Sequence, residues 1–142
     1  MARAAELAPK LLGGLSDVRP RPLAIRGRSG SGKTSLLRSV VRQSGREAVW
    51  GTARELVEQL AEAVRSGRYE PYRAALIDDV RPLCIEHLED LRGKPVTRGE
   101  VCRLLEDRAT RGRATLLTVT GARGDVEVLE WLESWAELLL IE

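Results

Sequence analysis

Residues Gly27-Arg28-Ser29-Gly30-Ser31-Gly32-Lys33-Thr34 follow the pattern G-x-x-x-x-G-K-[ST]. The glycines let the backbone curl until successive N–H groups point at one anion. A helix opening at Lys33 would add the positive end of its dipole to the same point. The Lys33 ammonium would reach the outer phosphates of a nucleoside polyphosphate. The Thr34 hydroxyl is a hard oxygen suited to magnesium, and Ser35 completes the expected nucleotide contacts, Gly27–Ser35. The bland alternative is a flexible Gly/Ser loop. An apolar strand entering the loop and an amphipathic helix leaving it weigh against that.

A second chemical element is the apolar run Ala75-Leu76-Ile77 ending in Asp78-Asp79. Read as a strand over Ala74–Val80, it places two carboxylates at a strand end. Asp78 would then hold magnesium with Thr34, and Asp79 would orient or deprotonate an attacking water. The alternative is a solvated acid pair capping the next helix.

The elements around these residues alternate between strand and helix. Strands are expected at Leu23–Arg26, Ala48–Trp50, Ala74–Val80, Thr115–Thr120 and Leu138–Ile141. Helices are expected over 2–13, Lys33–Gln43 (stopped by Gly45), from a Thr52/Glu55 capping box, from a Thr97/Glu100 capping box, and after an Asp125 cap. Five such alternations imply an α/β fold: a five-stranded parallel sheet with helices on both faces and its ligand beyond the strands' carboxyl ends. The 142 residues suit one domain, with a helix and Pro-containing connector over 1–21 and a core over 22–142.

Composition adds limits. The net charge of +2 does not point to nucleic acid on its own. Cys84, Cys102 and the lone His87 lack metal-ligand spacing, so two reduced thiols are expected and no zinc site. Nothing resembles a signal peptide or a membrane span, which implies a cytoplasmic protein.

Three stretches carry a resemblance: Pro22–Gly27 running into Gly32–Leu37, the block Val49–Val57 continuing to Ala63–Arg68, and Tyr72–Val80. Over roughly residues 20–140 the chain resembles the AAA+ core of the bacterial replication initiator DnaA and its regulatory relatives. The middle block is the most telling, because P-loop proteins at large do not share it. The resemblance implies an AAA+ P-loop NTPase sheet, ATP or ADP with magnesium, and work in replication initiation or its control. Gly27–Thr34 would be the Walker A loop, and Asp78 and Asp79 Walker B.

The departures shape the expected function. Thr120 falls where the family places a polar sensor, so it stands as a weaker catalytic candidate beside Asp79. Trp135 falls at the place of the arginine finger, either as core packing with Val128, Trp131 and Leu132 or as an exposed anchor for a partner protein. The chain stops at Glu142, before the family's helical lid and DNA-binding domain. The expected function is an ATP-binding regulator or adaptor in replication initiation: at most a slow magnesium-dependent ATPase, with a protein partner from the replication machinery and no sequence-specific DNA binding of its own. The alternative is a protein-docking module with a vestigial nucleotide site. A small-molecule kinase, using Arg108, Arg111, Arg113 and Arg123 as a lid, is disfavoured because those arginines read more simply as a solvated helix end.

Overall fold

Successive residues of the first strand go to opposite cores. In the computed structural model, Leu23 and Ile25 pack on one side and Ala24 on the other, the period-2 behaviour of a strand covered on both faces. The structure describes residues 4–14, 21–121 and 126–141.

The strands are β1 (Leu23–Gly27), β2 (Val49–Thr52), β3 (Leu83–Glu86), β4 (Thr115–Thr120) and β5 (Glu137–Leu140). They form one sheet in the order β2-β3-β4-β1-β5, and every pairing is parallel. Helices α1 (Ala4–Gly14) and α2 (Lys33–Ser44) cover one face. Helices α3 (Ala53–Arg65), α4 (Tyr69–Asp78), α5 (Pro95–Thr110) and α6 (Val126–Glu133), with a 3-10 turn at Leu88–Leu91, cover the other.

Local sequence explains several boundaries. Leu36, Leu37, Val40 and Val41 are the buried stripe of α2, and Gly45 stops it with φ 70°. The Thr52/Glu55 capping box forms as expected. Glu55 N–H donates to Thr52 Oγ1 at 3.1 Å, and Thr52 N–H donates to Glu55 Oε1 at 3.0 Å. The second expected box does not form. Pro95 takes the first position of α5, where its fixed φ and missing N–H cost nothing, so Thr97 lies inside the first turn. Glu100 instead pairs with Arg73 and Arg103. The expected Asp125 cap lies outside the described residues.

The largest correction concerns Ala74–Val80. This stretch is not a strand: Tyr69–Asp78 is helix α4. Ala74 and Ala75 are exposed, while Ile77 is buried and Tyr72 and Leu76 are half-buried, a helical stripe rather than a strand covered on both faces. Alanine favours helix over strand, and a short apolar run cannot by itself separate the two. The strand comes later. Pro82 precedes it, as proline does at the first residue of a strand, and Leu83, Cys84 and Ile85 are its buried residues.

Arg108 holds that region together. It is fully buried and donates to the carbonyls of Leu76 (2.5 Å), Asp79 (3.2 Å), Arg81 (3.2 Å) and Ala114 (2.9 Å) and to Thr115 Oγ1 (3.1 Å). Burial pulls its pKa down to about 10, still well above neutral. It is therefore an internal cation tying the end of α4 to the starts of β3 and β4, and not part of a solvated helix end.

Candidate functional site

The turn after β1 curls as its glycines require. Gly30 and Gly32 have φ of 78° and 91°, a region that L side chains rarely enter. Ser31 N–H closes the turn on Arg28 O at 3.1 Å. At Gly27 a side chain would strike Ile141 and Ser31, so the chain has room only for glycine. Arg28, Ser29, Gly30, Gly32, Thr34 and Ser35 face solvent, whereas Lys33 is buried. The loop is an open bowl with an ammonium at its floor.

Lys33 Nζ donates to Gly27 O at 3.0 Å, Arg28 O at 2.7 Å and Ser31 Oγ at 3.4 Å. These acceptors hold the charge at the floor of the bowl. Burial lowers the Lys33 pKa, and the charges of Glu89 and then Glu86 oppose that shift. Both glutamates therefore belong to the electrostatic surroundings of the bowl.

Their positions follow from the strand order. Because β4 lies between β1 and β3, the carboxyl ends of all three meet. Thr120 pairs in register with Gly27, which places the expected sensor residue beside the loop. Glu86 ends β3, and its Oε1 accepts a hydrogen bond from Thr34. His87 follows in the left-handed conformation at φ 63°, ψ 51°, and its N–H donates to the buried Thr118 Oγ1 at 3.2 Å. The 3-10 turn then brings Glu89 back against β4. Thr120 N–H donates to Glu89 Oε1 at 2.9 Å, and His87 Nδ1 lies 3.0 Å from Glu89 Oε2.

Asp78 and Asp79 are not in this constellation. They precede β3, so they lie at the amino end of a parallel sheet whose cradle is at the carboxyl end. The four residues of β3 separate them from it, about 13 Å at the usual strand rise. Asp78 pairs with Arg111, and Asp79 with Arg81 at 2.8 Å. The Arg81 hydrogen bond holds the Asp79 carboxyl below its ordinary range. Arg108 is thus committed inside the fold, Arg111 is an exposed ion-pair partner of Asp78 at the end of α5, and Arg123 lies outside the described residues.

The sequence reading missed Glu86 and Glu89. Pro82 was the available signal, because it marks a fresh strand start whose apolar residues end at Glu86. Thr34 and Glu86 together offer hard oxygen donors at the rim of the bowl, a set suited to a divalent cation such as magnesium. No group of three or more His, Cys, Asp or Glu side chains able to hold a metal occurs among the described residues. Nor is any described helix long and apolar enough to cross a membrane. Trp135 is buried in the core at 5% exposure and meets Trp131 edge-on with ring centroids 5.0 Å apart. The core-packing alternative holds for this residue, and the exposed anchor does not.

No protein-family model matches the chain. The chain is 32% identical over 112 residues to chromosomal replication initiator protein DnaA 1 of Chlamydia trachomatis, and 30% identical over 112 residues to that of Chlamydia muridarum. These alignments take in 77% of this chain and 24% of each relative, so the chain spans about a quarter of their length. Among solved structures, a replication initiator DnaA bound to AMPPCP and single-stranded DNA superposes with TM-score 0.74 at 20% identity, covering 98% of this chain and 45% of that one. The DnaC helicase loader superposes with TM-score 0.73 at 16% identity, covering 98% and 88%. The likeness in shape establishes a shared AAA+ fold.

Proposed function

The chain is a homologue of the DnaA replication initiators built on their AAA+ core, and from that premise we propose that it binds ATP or ADP with magnesium and serves as a regulator or adaptor in replication initiation. The carrying observation is the buried Lys33 at the floor of a glycine-curled bowl, with Thr34 and Glu86 paired at its rim. The DnaA relative that shares this fold binds AMPPCP, which supports the reading.

Gly27–Ser35 would wrap the phosphates, Lys33 would turn from the carbonyls of Gly27 and Arg28 to the outer phosphates, and Thr34 and Glu86 would hold magnesium. Bound magnesium would neutralise charge on the phosphate chain. Thr120, in register with Gly27, is placed to hydrogen-bond a phosphate or water. Turnover by the isolated chain is slow, because buried Trp135 cannot reach into a neighbouring molecule's site, and a missing arginine finger costs several orders of magnitude in rate. The working partner is a protein of the cytoplasmic replication machinery. Sequence-specific DNA binding is not expected of this chain: within the 108–113 segment Arg108 is interior and Arg111 is paired.

The alternative, a docking module with a vestigial nucleotide site, draws support from His87 standing beside Glu86 in place of a second acid. Titration calorimetry with Mg-ATP and Mg-ADP decides between them. Micromolar to millimolar affinity that falls at least about tenfold in Lys33→Ala is expected, corresponding to about 1.4 kcal/mol. Absence of heat at millimolar nucleotide leaves the docking module.

A further inference from the structure

We propose that Glu89 is the carboxylate that holds and deprotonates the attacking water when this site hydrolyses ATP, a role that the sequence reading gave to Asp79. The proposal rests on the nucleotide-binding reading above.

Two carboxylates face the bowl, and they are differently engaged. Glu86 is taken by Thr34. Glu89 is held at both oxygens, by the Thr120 N–H at 2.9 Å and by His87 Nδ1 at 3.0 Å, with its side chain only 20% exposed. This fixes the group at the end of β4, the strand that separates the Lys33 loop from Glu86. The left-handed turn at His87 is what returns the chain far enough for the residue three positions after Glu86 to occupy this place. A preorganised carboxylate of this kind suits a water-orienting base.

In the step itself, water oxygen bonds to the γ-phosphorus as the bond from that phosphorus to the β–γ bridging oxygen breaks. ADP leaves with the bonding pair. The water proton passes to Glu89 and from there to solvent, leaving inorganic phosphate.

The bland role for Glu89 is to tie the 3-10 turn to β4. Two measurements on the full chain separate the roles: single-turnover hydrolysis of Mg-ATP with protein in excess, and the melting-temperature shift given by Mg-ADP with and without aluminium fluoride, which mimics the transferring phosphoryl group. Glu89→Gln is expected to bind Mg-ADP within about twofold of the parent, to hydrolyse ATP at least about a hundredfold more slowly, and to lose the extra shift from aluminium fluoride. Glu89→Asp keeps the charge and draws it back by one methylene, so it should fold and still lose turnover. Parental turnover in either variant overturns the proposal. So does an aluminium fluoride response retained in Glu89→Gln, or a parent chain that binds Mg-ADP yet hydrolyses ATP no faster than Lys33→Ala. A parent that binds no nucleotide sinks the cradle reading itself, which is a distinct result.

Discussion

The two ends of the sheet use the same residue types to opposite effect. At the amino end, Arg108 is enclosed by carbonyls, while Asp78 and Asp79 are paired with Arg111 and Arg81. At the carboxyl end, Lys33 rests on two carbonyls beneath a solvent-facing loop, with Glu86 and Glu89 close by. A cation satisfied by backbone on every side is a strut. A cation that rests on three acceptors of one short loop, beneath a solvent-facing rim, is placed to serve as a binding group in the proposed function. Charge and motif do not distinguish the two; enclosure does.

The comparison breaks most readily at the amino end. Trp135 packs just before β5, and Trp135→Ala should cost about 3–5 kcal/mol in a urea titration. Its ring Nε1 is buried without a hydrogen-bond partner, so Trp135→Phe should cost distinctly less. Arg108→Ala should cost about 3 kcal/mol, since it leaves several buried carbonyls without a donor. The folded fraction should bind nucleotide as the parent does. A loss of affinity there, measured by calorimetry on the folded protein, would show that the two ends are coupled.

At the carboxyl end the expected effects are on binding rather than on stability. Glu86→Gln should raise the magnesium concentration needed for nucleotide binding roughly tenfold, whereas Asp78→Asn should leave it unchanged. Equal effects from the two would reverse the assignment of the metal-facing acid. The smallest effect concerns Asp79. Its carboxyl titrates lower in the folded chain because of the Arg81 hydrogen bond. The pair therefore stabilises the fold above the unfolded-state pKa, and that contribution disappears as pH falls below about 4 through the folded value. The pair is partly exposed and screened by solvent, so its contribution is small. Stability curves of Asp79→Asn and the parent should differ at pH 7 and converge in acid, once the folded-state carboxyl is protonated.

Most of the architecture was legible because its signals are local. The glycines of the loop, the Leu36/Leu37/Val40/Val41 stripe, the Thr52/Glu55 box and the β-branched, leucine-rich strand Thr115–Thr120 each act over one or two turns or one strand. The third strand was not legible for a complementary reason. Ala74–Ile77 and Leu83–Ile85 are both short apolar runs followed by acids, and what separates them is tertiary: Arg108, distant in sequence, closes over the end of the first. The resemblance in Tyr72–Val80 reinforced the wrong run, because a familiar pair of acids stands there without the strand beneath it. Glu89 was hidden because its place depends on the left-handed His87, a conformation that residue type does not announce.

The two thiols have a practical consequence. Burial pushes Cys84 up to about 12, and burial with the neighbouring Glu106 pushes Cys102 up to about 12. Near neutral pH both thiols therefore stay protonated, and only the thiolate reacts with alkylating dyes. Both native thiols should therefore label slowly beside an ordinary exposed cysteine. A single cysteine introduced at an exposed rim position such as Ser29 or Ser35 would carry a dye alone, and its emission could follow the bowl filling and emptying without removal of either native cysteine.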